Sequence, residues 1–151
     1  MQAQILAPAA VLVVWSLVML LWIIPARFGA VAKMPDKSAL PNKVGVRGND
    51  LEGVLPDKAN WPAHNFTHLM EQPTLFYAAV TILAIMGPGA ADVLAAWVYV
   101  GLRIVHSVWQ ATVNTIPVRF ALFILSTLAL IVLAVRAAIA TLLADPSALP
   151  A

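Results

Sequence analysis

Cysteine is absent from the 151 residues, which removes a disulfide-stapled scaffold and catalysis by a protein thiolate. Any thiol chemistry has to arrive on a small molecule. Charge is scarce as well: Asp, Glu, Lys and Arg make up 11% of the chain against 62% hydrophobic residues, a balance too apolar for a soluble domain of this length. The formal charge of +2 is small and dispersed through apolar sequence, with no basic arm and no zinc-type spacing, so no nucleic-acid surface is expected. No internal repeat points to an inverted-repeat transporter.

What the chain has is long apolar stretches. Four of them, 5–24, 64–86, 91–113 and 117–143, are long enough to cross about 30 Å of hydrocarbon as helices. The expectation is an all-α membrane protein, a four-transmembrane-helix antiparallel bundle in a single domain over 1–151. No Lys or Arg precedes the first stretch and its apolar run exceeds a signal-peptide core, so it reads as a retained helix. Gly87, Pro88 and Gly89 predict a tight turn that makes the second and third helices antiparallel neighbours. Pro117 suits a first helical turn, where its missing N–H costs nothing.

Residues 25–63 are rich in Pro, Gly, Asn, Lys and Asp without sustained period and read as a loop. Arg27, Lys33, Lys37, Lys43, Arg47 and Lys58 all lie there, whereas 87–92 holds no basic residue, so this loop is expected on the cytoplasmic side. Arg136, near the other end of the bundle, mildly opposes that orientation. The basic excess of the loop suits attraction to anionic lipid headgroups, with a lid or anion-collecting role as the alternative.

Polar residues inside the spans carry the functional signal. Tyr99, Arg103, His106, Gln110 and Asn114 fall within an arc of about 80° on a helix, one polar seam on an apolar cylinder. An arginine at mid-span costs roughly 2.5–3.5 kcal/mol on insertion scales, so such a charge faces a bundle interior or a ligand. A second seam opens the second span: His64, His68 and Glu71 share a face, with Asn65 and Gln72 beside it. Pro73 removes the hydrogen bond to the Leu69 carbonyl and predicts a bend. Glu71 and Arg103 lie on antiparallel neighbours, placed either for a structural salt bridge or for a shared ligand. His64, His68 and His106 permit a metal reading, but the spacing is only geometrically permissive and no HExxH signature is present, so no metal is expected.

The run NFTHLMEQPTLFY, followed by WVYVGLRIVHSVWQATVNTIPVRF, resembles bacterial members of the MAPEG family, the membrane-associated proteins in eicosanoid and glutathione metabolism. The resemblance rests on Glu71 with Pro73 and Leu75-Phe76-Tyr77, on the RxxH pair Arg103 and His106, and on Arg119 sixteen residues after Arg103. It implies a homotrimer in the bacterial inner membrane, with glutathione as cosubstrate in clefts between subunits and a lipophilic small molecule as second substrate. By the same analogy Glu71 would hold the amino group of the tripeptide. Arg103 and His106 would line its peptide and carboxylate portion, with His68, His64, Gln110 and Asn65 around it, and Arg119 would stabilise the thiolate.

The chain departs from the family pattern at four places. His68 stands where well-studied members carry Asn, and His64 where they carry Arg. Gln110 replaces a tyrosine found in some, and Phe123 a hydroxyl-bearing residue. These changes argue against tyrosine-assisted thiol activation and weaken carboxylate recognition. The leading expectation is a glutathione-dependent transferase or peroxidase acting on lipophilic electrophiles. A noncatalytic lipid- or partner-binding trimer of the same fold is the alternative, and a proton relay or small transporter through Glu71 and His106 is a third.

Overall fold

A computed structural model describes residues 1–42 and 44–144, so Lys43 of the expected basic loop lies outside the described residues. Four helices follow in order: α1 (Gln2–Ala32), α2 (Asp57–Met86), α3 (Ala90–Thr112) and α4 (Ile116–Leu142). All four are long and apolar enough to cross a membrane. Among the described residues no strand forms, and the only β feature is an isolated bridge between Glu52 and Leu55.

The core is a thin seam. On α1 the buried positions are Ile5, Pro8, Leu12, Ser16 and Met19, spaced by three and four residues as in a coiled-coil stripe. That stripe joins Leu69, Phe76, Val80 and Leu83 of α2, Ala96, Tyr99 and Val100 of α3, and Leu130, Leu133 and Ala137 of α4. Phe76 and Tyr99 stack with ring centroids 4.4 Å apart. Outside the seam, Val13, Leu17, Leu21, Leu125, Leu128 and Val132 point outward, as the lipid-facing sides of membrane helices do.

The helix ends differ from the sequence expectation on one side of the bundle. Helix α1 runs through Pro25 to Ala32 rather than stopping at Ile24, and α2 begins at Asp57 rather than His64. The connection is therefore 33–56, not 25–63. The cause is a half-buried anchor: Arg27 donates from Nε to Asn60 Oδ1 (3.2 Å) and from Nη2 to the Gly48 carbonyl (3.1 Å). One side chain thus ties the end of α1, a 3-10 turn at Gly48–Leu51 and the start of α2. Proline at 25 forfeits one hydrogen bond, and tertiary contact outweighs it.

The other two connections are short. Gly87 takes a left-handed conformation (φ 89°), and the Gly89 amide donates to Asp92 Oδ2 at 2.8 Å, capping α3. Asp92 also pairs with Arg136 of α4. Arg136 thus has an acidic partner on α3 at the end of the bundle away from the connection.

Candidate functional site

The α3 seam forms as its spacing predicts. Tyr99, Arg103, His106 and Gln110 are all buried, on the face that α3 turns toward its neighbours. Asn114 does not belong to that helical face, because α3 ends at Thr112 and Asn114 turns the chain with φ 58°. Asparagine tolerates this left-handed geometry, and its Oδ1 accepts from Arg119 Nη1 at 2.7 Å. The turn residue therefore aims the arginine that opens α4.

Arg103 is 1% exposed. Its Nη2 donates to the carbonyl oxygen of His68 at 2.9 Å, one residue from the Leu69 carbonyl that Pro73 leaves without its helical donor. Its Nε and Nη1 have no hydrogen-bond partner. The Glu71–Arg103 ion pair is not formed. The Glu71 side chain is 62% exposed and lies 3.9 Å from His68 Nε2, so of the two placements the sequence allows, the structural salt bridge is absent. His68, on the same face of α2, reaches α3, whereas the Glu71 side chain extends outward from it.

Around Arg119 a cavity of about 210 Å3 is lined by His68, His106, Ile116, Arg119, Phe120 and Phe123. The His68 and His106 rings stack at 5.7 Å, and both lie near Phe123. His106 Nε2 contacts Gln110 Oε1 at 3.1 Å, while the Nδ1 atoms of both histidines are buried without partners. Helices α2, α3 and α4 thus converge on one pocket in which cationic and imidazole nitrogens face aromatic carbon. A cavity of this size is below the roughly 300–1,000 Å3 typical of small-molecule sites.

Two expected site residues lie elsewhere. His64 contacts Glu52 of the connection (2.8 Å) with both side chains about half exposed, so it faces the loop and not the histidine pair. Asn65 is fully buried and donates to the Ser107 hydroxyl, joining α2 to α3. Among the described residues no three metal-ligating side chains converge.

Other residues entered the site without being singled out in the sequence. Ile116 and Phe120 flank Arg119 on one face of α4 with Phe123, which the sequence marked only as a departure from the family pattern; their helical spacing was available but reads equally as lipid-facing surface. Ser107 and the chain from Tyr99 through Gln72 to Thr127 (3.4 and 2.8 Å) had no signal, because such pairings depend on rotation of whole helices.

The sequence model of the MAPEG family matches residues 5–139, all four helices included. The chain belongs to the MAPEG family. It is an integral membrane protein with that family's four-helix, all-α architecture. No curated protein and no solved structure gives a match to the chain. For this MAPEG protein the functional argument therefore rests on its own pocket.

Proposed function

We propose that this protein is a glutathione-dependent transferase or peroxidase for lipophilic electrophiles, with Arg119 stabilising the glutathione thiolate. The observation that carries the reading is the buried guanidinium of Arg103, which has two nitrogens without acceptors and no carboxylate against it. A buried cation of this kind calls for an anionic partner. Arg119 at the cavity gives further donors, and the unpartnered histidine Nδ1 atoms beside it give further polar contacts. Glutathione supplies carboxylates for such donors and an ammonium group for the exposed Glu71.

In this reading Arg103 and His106 receive the carboxylate and peptide portion, Glu71 takes the ammonium, and Arg119 faces the sulfur. His68 and Gln110 line the same site, whereas His64 and Asn65 act more remotely, through Glu52 and Ser107. A guanidinium next to a thiol at low dielectric favours the thiolate, whose proton leaves to water. The sulfur then attacks an electrophilic carbon, forming the C–S bond as negative charge passes to the acceptor, where Arg119 stabilises it. The small volume of the cavity suits a shared cleft, completed by a neighbouring copy in a homotrimer, with the 33–56 connection on the cytoplasmic face of a bacterial inner membrane.

The test is glutathione titration of purified protein, followed by thiolate absorbance and by conjugation of a model electrophile. Wild type should bind and show the thiolate, and Arg119→Ala should keep binding while losing it. No binding at millimolar glutathione would overturn the proposal. The noncatalytic alternative is favoured by one feature: Gln110 and Phe123 leave no hydroxyl beside the cavity. Binding without turnover of any electrophile would select it.

A further inference from the structure

A second and larger cavity, about 720 Å3, lies at the loop end of the bundle and shares no residue with the Arg119 pocket. Its position follows from helix lengths. Helix α1 has 31 residues and spans about 46 Å at ~1.5 Å per residue, well beyond about 30 Å of hydrocarbon. Helix α2 is nearly as long, whereas α3 stops at Thr112, so α1 and α2 continue past it and enclose space at headgroup depth. Trp22, Pro62 and Thr112 line it on the bundle side, Val54 on the connection side, and Lys33 and Lys58 bring two charges to it.

Among the described residues no acidic side chain lines this cavity. The nearest acid in sequence to Lys33, Asp36, is occupied by the Ser38 amide (2.8 Å) and hydroxyl (2.7 Å). Gly29 faces open space, with nothing within 4 Å of where a Cβ would stand. The result is an apolar slot with two ammonium groups and no carboxylate among its lining residues, at the end of the bundle where a lipid changes from acyl chain to phosphate.

We propose that this cavity is a binding site for an anionic membrane lipid, with its phosphate between Lys33 and Lys58 and one acyl chain laid past Gly29 toward Trp22. The volume lies within the roughly 300–1,000 Å3 range of small-molecule sites. The two lysines distinguish the headgroup by charge, because a zwitterionic lipid brings its own cation to the same place. The proposal stands independently of glutathione binding.

Native mass spectrometry of the full-length protein released from vesicles of mixed phosphatidylglycerol and phosphatidylcholine tests it. Wild type should retain phosphatidylglycerol in preference. Lys33→Gln and Lys58→Gln should each lower that retention by about fivefold, the scale of one lysine near an anionic surface. Gly29→Leu adds bulk at a position where a Cβ meets nothing within 4 Å, and it should lower retention of both lipids while the helix content stays at the wild-type value. Lys37→Gln, an exposed charge outside the cavity, should change nothing. Equal loss in Lys37→Gln would mean diffuse attraction and would overturn the proposal. So would unchanged retention in Gly29→Leu, or displacement by glycerol phosphate as readily as by the intact lipid.

Discussion

Arg103 sits in the bundle with one nitrogen bound to a backbone carbonyl and two others idle. A side chain kept for packing would not be left this way, because an unpaired buried cation is destabilising and an apolar residue of similar volume is neutral or better by about 1–4 kcal/mol. Arg103→Met is therefore expected to unfold at the same or a higher temperature than wild type without ligand. Wild type should gain thermal stability with glutathione, by about 2.7 kcal/mol at a hundredfold excess over Kd, and the variant should gain none. A thermal scan with and without glutathione checks both halves. Asn114 offers a second separation of roles. Asn114→Gly keeps the left-handed turn but releases Arg119, so thiolate signal should fall about tenfold, the scale of one charge-assisted hydrogen bond. Asn114→Ala should add a loss of thermal stability of about 1–2 kcal/mol from the backbone alone.

Among the elements, α3 depends most on its partners. Its outer end is capped by its own Asp92 and pinned by Arg136 of α4, and its middle by Asn65 and the His68 carbonyl of α2. Asp92→Ala removes the cap, worth about 1 kcal/mol, together with the link to α4. Hydrogen exchange should then rise at the first turn of α3 before it rises at the seam. The same elements show what the chain makes plain before folding. Spans and turns follow from apolar length and from Gly87, Pro88 and Gly89, and the burial of Arg103, His106 and Gln110 follows from helical period. Pro25 misleads, because Arg27 reaches Asn60 and Gly48 across 33 and 21 residues and no local pattern encodes that reach. For Glu71 the period of 3.6 gives the shared face with His68, which reaches α3, but not that its own side chain extends outward without pairing Arg103.

For the whole molecule, orientation and assembly are what the pocket chemistry needs. The absence of native cysteine makes topology directly measurable. A single cysteine at Lys37 should resist a membrane-impermeant maleimide in intact cells and react after permeabilisation, and one at Pro88 should react in both. The reverse pattern would put the 33–56 connection outside and place the Arg119 pocket at the wrong surface for a cytosolic thiol. The basis for the expected result is the cluster of Arg27, Lys33, Lys37, Arg47 and Lys58 at the connection end, against Arg136 alone among the described residues at the other.

The pairing of Asp92 with Arg136, 44 residues apart, bears on how the protein is made. During synthesis α3 reaches the translocon while α4 is still inside the ribosome, carrying an arginine, a histidine and a carboxylate that have no apolar disguise. Its partners on α2 already wait in the bilayer, but its outer anchor has yet to be translated. Joint entry of α3 and α4 into the lipid would spare Asp92 an unpaired passage, and an insertion assay on chains truncated before Arg136 should show α3 entering less completely. A ribosome stalled just after α3 would leave that helix within reach of the quality-control proteases that patrol the membrane.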